Sequence, residues 1–561
     1  VSYDLVIRGG DVIDGSGLSR YRADVGIRGG RIARIGTIRE AGDVELDATD
    51  HVVSPGFIDG HTHMDAQVFW DELGSCSCWH GVTTVVMGHC GFTLAPASKE
   101  RSHLVVRNLE RAEDISGLAL AAGIEWTWTT FREYLDAVDQ RPKGLNYAAN
   151  IGHSALRTYA MGERAFEGEA SAADVEIMAV ELRDALAAGA YGLSTSRTHH
   201  HKTSDDRPVA SRLASWDEIR RLVGVMGELG VGIFQITEDQ QTPETQPDYN
   251  RRLIELAVQT GVPIAINATR GGAALDLLDQ AVTAGARMFG LTHSRGIGVM
   301  SSFRSQLAFD RLPEWREVRA LPEAGFVAAL RDPATRERLV DAAHHGNYGE
   351  AVGTEARKPD YDNMFVLDSP VPPYRSVAEI AKERDIDPVE VMIDLALESN
   401  LDQFFVQPLS PFDHDAVRTA MKHPSTVMAF SDSGAHVSQI SDCSIQTHLL
   451  AYWVRDRGEF SLEEAVRMLT FAPARAWGFH DRGLLREGLA ADINVFDPDV
   501  VGPALPYLAH DLPAGEPRIK QEAVGFLATI VNGQITHLRG KHTGALPGKL
   551  LRGPLATTGQ D

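Results

Sequence analysis

The chain has 561 residues, too many for one ordinary hydrophobic core, so a large domain with a smaller companion is expected. Lys and Arg total 54 against 77 Asp and Glu, and the formal charge of −23 disfavours nucleic acid and anionic membranes as partners. The four cysteines (Cys76, Cys78, Cys90, Cys443) form no disulfide framework, no apolar run is long enough to span a bilayer, and Val1-Ser2-Tyr3-Asp4 does not begin a signal peptide, so a cytoplasmic protein is expected.

Residues 1–55 read as short strands with glycine turns. Asp24-Val25-Gly26-Ile27 and Arg31-Ile32-Ala33-Arg34-Ile35-Gly36 flank Arg28-Gly29-Gly30, a hairpin signal. Val52 to Ile58 is apolar and β-branched, as a buried strand would be, and it leads into Asp59-Gly60-His61-Thr62-His63. Residues i and i+2 of a strand share a face, so both imidazoles reach one spot and offer half of a tetrahedral Zn²⁺ site. From 56 to 483 apolar strands alternate with amphipathic helices, as a (β/α)8 TIM-like barrel requires. Strands are expected at 83–87, 145–151, 192–195, 232–236, 263–267, 404–406 and 427–430, and helices at 173–188, 216–229 and 463–469. The Pro-, Arg-, His- and Gly-rich stretch 296–374 breaks this rhythm and reads as an insertion over the barrel mouth. Residues 484–561 turn β-rich again, so the two chain ends are expected to pair into one small β-sandwich, with a tail beyond Gly544.

A second stretch carries chemistry. Gly81-Val82-Thr83-Thr84-Val85-Val86-Met87-Gly88-His89-Cys90-Gly91 places a sterically open cysteine at a strand end, and thiolate is a strong Zn²⁺ ligand. Together with His-Thr-His-Met-Asp-Ala-Gln and Ala95-Pro96, this run resembles the D-aminoacylase (N-acyl-D-amino-acid deacylase) family of the amidohydrolase superfamily. Gly152-His153-Ser154-Ala155-Leu156-Arg157, Gly189-Ala190-Tyr191-Gly192-Leu193-Ser194-Thr195, Ser431-Asp432 and Phe471-Ala472-Pro473-Ala474 continue the likeness along the chain.

The resemblance implies a hydrolase of a C–N (amide) bond acting on a small molecule. Its implied metal ligands are His61, His63, Cys90 and Asp432, its cofactor is Zn²⁺ as one or two ions, and Asp432 is the implied general base. The chain departs from the family in several places. His89 stands where Asn is usual. Gln235 stands where strand five should carry a metal-binding His, and Asn267 where strand six should. The family's Arg after the Ser-Asp motif is absent. Arg270 is then the candidate replacement for the family's strand-six lysine, and Gln235, His436 and Arg295 complete the candidate substrate contacts. His199-His200-His201 and His293 are the imidazoles available as substitutes, although three consecutive residues cannot all face one point. Two other readings stand beside this one: hydrolysis of a cyclic amide, carbamate or ester, and a non-catalytic barrel acting as a binding protein. Homo-oligomerisation is left open.

Overall fold

Residues 2–409, 412–440 and 442–556 are described by a computed structural model. The chain opens on strands β1 (Tyr3–Val12), β2 (Tyr21–Arg28), β3 (Arg31–Gly36), β4 (Gly42–Asp47) and β5 (Val52–Pro55). Gly29 and Gly30 turn β2 into β3 with φ of +57° and +75°, the left-handed pair that lets a two-residue hairpin follow the strand twist. β1 pairs antiparallel with β2, parallel with β4, and passes to β5 at Asp11 and Val12.

Parallel strands follow: β6 (Phe57–Asp59), β7 (Val82–Met87), β8 (Asn146–Ala149), β9 (Ile151–Gly152), β10 (Gly192–Ser196), β11 (Ile233–Thr237), β12 (Ile264–Asn267) and β13 (Met288–Thr292). β6, β7 and β8 form one sheet, and β9 to β13 lie in sequential order in a second. Every residue of β7 is buried, as in a strand covered on both faces. Helices Ala172–Ala188 and Trp216–Leu229 connect β9 to β10 and β10 to β11. Ser171 and Ser215 cap their starts, and left-handed Gly189 and Gly230 end them, so the serine and glycine punctuation sets the helix lengths. β13 is missing from the strands expected above because Gly290 interrupts its apolar run. That glycine answers to packing, since a Cβ there would come within 2.5 Å of the Ala268 Cβ.

β14 (Gly298–Ser302), β15 (Phe365–Val366), β16 (Arg375–Ser376) and β17 (Phe404–Pro408) build a separate antiparallel sheet. This corrects the expectation for 404–406: β17 pairs antiparallel with β14 and β15 and is no member of the parallel series. A short apolar run such as Phe404-Phe405-Val406 suits the interior of either sheet type, so pattern alone cannot choose. Helices from Pro313–Arg319 to Pro388–Glu398 close this segment around its own core of Phe309, Trp315, Leu330 and Ile393. The interruption thus runs on to Pro408, past 374.

β18 (Thr426–Met428) rejoins the parallel series beside β13, and β19 (Ile493–Phe496) pairs antiparallel with β5. Strands Phe526–Val531, Gln534–Leu538 and Lys541–His542 continue from β19, so one nine-stranded sheet holds strands from both chain ends. The tail is tied down as far as Gly553. Lys549 O accepts from Tyr147 N at 2.9 Å, Leu551 N donates to Tyr147 O at 2.7 Å, and Gly553 N donates to Gly189 O at 2.8 Å. Among the described residues no helix is long and apolar enough to cross a membrane.

Candidate metal centre

β6 runs straight into His61, Thr62 and His63, whose two rings lie 5.5 Å apart between centroids. The backbone there is stitched to the far side of the parallel series. His63 N donates to Ser433 O at 2.7 Å, and Asp432 N donates to His61 O at 3.1 Å. Asp432 itself is left-handed at φ +53°, an unusual state for a non-glycine residue that persists only where surroundings enforce it. The outcome is a carboxylate aimed at both rings: Oδ1 lies 3.2 Å from His61 Nε2 and 3.4 Å from His63 Nε2.

Cys90 arrives from the end of β7 through Gly88-His89-Cys90-Gly91. Glycine is required at Gly88, where φ is +81° and a Cβ would sit 2.3 Å from Asn150 O. Cys90 is likewise left-handed at +55°, with its N–H donating to Gln235 Oε1 at 2.9 Å. Its sulfur stands 3.6 Å from His61 Nε2 and accepts from Thr237 Oγ1 at 3.2 Å. One ligand atom each from His61, His63 and Cys90 lie within 4.8 Å of one another, all on buried residues. His89 stacks beneath His61 with centroids 4.0 Å apart, and neither of its ring nitrogens has a partner.

Glu113 also lines the cluster. It sits in the turn after helix Ser102–Leu109, pinned by His436 N donating to Glu113 O and by Ser438 Oγ donating to Asp114 Oδ2 at 2.7 Å. Its Oε2 lies 3.5 Å from His63 Nε2 and 3.5 Å from His436 Nε2. His201 is the one member of the histidine triplet brought inward, while His199 and His200 are exposed. Nothing local marks Glu113; only the packing of two distant loops places it.

Electrostatics follow from burial. Desolvation lowers His61, and it pushes Cys90 up to about 11 with help from the Glu113 carboxylate. Desolvation would lower His63 too, but Glu113 and Asp432 outweigh it and hold that imidazole well above its usual range. Desolvation would raise Asp432, but His61 and His63 hold it well below the usual carboxylate range. Glu113 is pushed up to about 8 by burial. His63 Nε2, Asp432 Oδ1 and Glu113 Oε1 are buried without hydrogen-bond partners. Thiolate, imidazole and carboxylate converging with unmatched atoms suit a Zn²⁺-class ion, which would satisfy them.

Residues 44–537 match the amidohydrolase family. The chain belongs to that family. An N-acyl-D-glutamate deacylase from Alcaligenes xylosoxydans xylosoxydans is 30% identical over 504 residues, covering 89% of this chain and 88% of the relative. Among solved structures, the N-acyl-D-glutamate deacylase from Bordetella bronchiseptica, complexed with zinc and a phosphonate inhibitor, is 25% identical with a TM-score of 0.64. It covers 98% of this chain and 100% of its own. A D-aminoacylase studied for its binuclear metal centre is 26% identical with a TM-score of 0.64, again over 98% of this chain and 100% of its own.

In this amidohydrolase the remaining candidates differ in what holds them. Gln235 is buried, and its amide oxygen is committed to Cys90 N–H. His436, at φ +50°, sets Nε2 toward Glu113 and Nδ1 3.0 Å from Thr354 Oγ1, a residue of the segment between β14 and β17. Arg295 is held by Ser444 Oγ at 2.9 Å and by Asp442 at 3.7 Å. Arg270 is exposed in the loop after β12. Burial, with smaller contributions from Arg311 and Arg270, lowers the Arg357 pKa against the opposing Glu355 carboxylate, and its buried Nε has no partner. A surface groove of about 780 Å³ touches Tyr191, Gly232, Pro263 and Arg287. Each of these residues precedes its strand, so the groove is at the wrong end for chemistry, which gathers at the C-terminal ends of parallel strands.

Proposed function

We propose that this amidohydrolase cleaves the amide bond of an N-acyl amino acid or a similar linear amide, with a Zn²⁺-class ion held by His61, His63, Cys90 and Asp432. The observation that carries this reading is the convergence of His61 Nε2, His63 Nε2 and Cys90 Sγ within 4.8 Å, with Asp432 Oδ1 against both rings. When bound, such an ion polarises a carbonyl and makes water acidic enough to attack near neutral pH. Asp432, which the two imidazoles keep ionised, takes the proton of the attacking water and passes it to the departing amine nitrogen. Gln235 fixes the backbone of the sulfur ligand. Arg270 and Arg357, neither in an ion pair among the described residues although Glu355 lies near Arg357, offer positive charge to the substrate's carboxylate, and His436 lines the same mouth.

The architecture belongs to the same reading: residues 56–483 are a (β/α)8 barrel. Two observations support it. β9 follows β8 after Asn150 alone, linking the two parallel sheets, and Thr62 beyond β6 bridges Ser433 beyond β18. Residues 1–55 and about 484–541 form the small β-sandwich, with a tail after it, supported by the pairing of β5 with β19. Four cysteines in 561 residues, too few for a disulfide framework, support a cytoplasmic location.

The test is hydrolysis of a panel of N-acyl amino acids of both hands beside cyclic amides, with metal counted in the same preparation. Turnover of linear N-acyl substrates that stops on chelation and returns with Zn²⁺ is expected. Preference for the cyclic amides, or metal-independent turnover, would overturn the reading.

A further inference from the structure

The chain carries imidazole neither at Gln235 nor at Asn267, yet its metal-binding atoms do not end with the four just assigned. Cys90 Sγ, a Glu113 carboxylate oxygen and a His201 ring nitrogen lie within 4.8 Å of one another. This second set shares only Cys90 with the first. Its members come from three elements: the end of β7, the turn after helix Ser102–Leu109, and the loop after β10.

Two features of the set point to a cation. His201 Nδ1 lies 2.7 Å from Ser196 Oγ, and in the tautomer whose Nδ1–H donates to that hydroxyl, Nε2 keeps its lone pair. A metal-binding imidazole needs this tautomer, fixed by a partner on the other nitrogen. Independently, the Glu113 side chain is 1% exposed and its Oε1 has no hydrogen-bond partner, although Oε2 faces two imidazoles. A buried carboxylate oxygen without a donor is costly, and a bound cation is a common way to match it. Thiolate, imidazole and carboxylate together favour Zn²⁺ over harder ions such as Mg²⁺ or Ca²⁺. Gln235 and Asn267 do not compete for the role. The Gln235 oxygen is taken by Cys90 N–H, and amide oxygens are weak Zn²⁺ ligands.

We propose that Cys90, Glu113 and His201 hold a second Zn²⁺-class ion, beside the first and sharing the Cys90 sulfur with it. The word "second" rests on the reading of His61, His63, Cys90 and Asp432 as ligands of the first ion. Glu113 and His201 then supply, from other loops, the donors that strands five and six lack.

Elemental analysis after Zn²⁺ loading and dialysis tests this on the full-length protein, with circular dichroism confirming that each variant is folded. The parent should hold about two ions per chain, and Glu113→Gln and His201→Gln about one each. The double variant His61→Asn/His63→Asn should keep one ion that adding Glu113→Gln removes. Equal metal content in the parent, Glu113→Gln and His201→Gln overturns the proposal. So does a single parental ion that both variants retain. A single parental ion lost from those two variants but kept without His61 and His63 supports this site and sinks the four-residue site instead, so the two failures are distinguishable. Should a variant not fold, Co²⁺ titration of the parent decides. Thiolate-to-metal absorption that changes with both equivalents is expected, and a second equivalent that leaves it unaltered overturns the shared sulfur.

Discussion

Asp432 combines a strained backbone with a carboxylate 3.2 and 3.4 Å from two imidazoles, so its structural and chemical roles need separating. Asp432→Asn keeps the size and the turn but cannot accept a proton. Losing general-base help costs on the order of 10²–10⁴ in rate, whereas losing a cap costs about 1 kcal/mol. The variant should fold, melt close to the parent and lose kcat far more than KM rises; a variant as active as the parent would remove Asp432 from the chemistry. Loss of bound metal would mark it chiefly as a ligand. Away from the cluster, His80 gives a pH prediction. It is buried with Nδ1 2.7 Å from Thr447 Oγ1 and Nε2 3.1 Å from Gln521 O, and burial pushes it down to about 4. Between about pH 6.5 and 4 the unfolded chain therefore binds a proton that the folded chain refuses. The stability from neutral His80 is full above 6.5 and is lost as pH falls through that window, by roughly 2 kcal/mol at pH 5. Asp59 and Asp65, raised by burial to about 6 and about 7, act with the opposite sign, so the comparison must be between variant and parent. From pH 7.5 to 5, Tm should fall less in His80→Gln than in the parent. Parallel Tm profiles would show that His80 titrates normally.

At the scale of elements, strand identity was legible where patterning was unambiguous and lost where it was not. β7, with its Val-Thr-Thr-Val-Val-Met run, can only be a buried strand, and Trp216–Leu229 has the bounds its serine and glycine punctuation implies. β13 was hidden by Gly290, and β17 had an apolar run that fits any sheet interior. The packing reason at Gly290 is testable. A Cβ there meets the Ala268 Cβ at 2.5 Å and Leu278 Cδ1 at 2.9 Å, so Gly290→Val overpacks the layer between β12, β13 and helix Ala273–Thr283. Such overpacking costs about 1–3 kcal/mol. Thermal unfolding should show a clear drop in Tm with bound metal retained, and an unchanged Tm would mean that the layer gives way freely.

The whole molecule is held by long-range closures, and the C-terminal strap is one that can be cut. Residues 548–553 bond to Lys143, Tyr147 and Gly189, and Leu550 is buried. Removing everything after Gly544 exposes those backbone groups, each bond contributing about 0.5–1.5 kcal/mol. The truncated protein should melt several degrees lower while keeping its metal, because the strap lies away from His61, His63 and Cys90. A Tm equal to the parent's would make the strap incidental.

Local chemistry, which sequence records, determined the two-residue spacing of His61 and His63, the open Cys90 between Gly88 and Gly91, the serine and glycine helix punctuation and the β-rich ends. Each of these depends on neighbours within a few positions. Only the tertiary structure decided that Glu113 and His201 stand beside Cys90, that His199 and His200 do not, and that β13 rather than β17 continues the parallel series. The reason is the same in each case. Glu113 is set by a backbone bond to a turn more than three hundred residues away, His201 by a hydroxyl on β10, and Gly290 by the width of a packed layer. Contacts of that range leave no periodicity in the chain, because they are satisfied across space and not along the sequence.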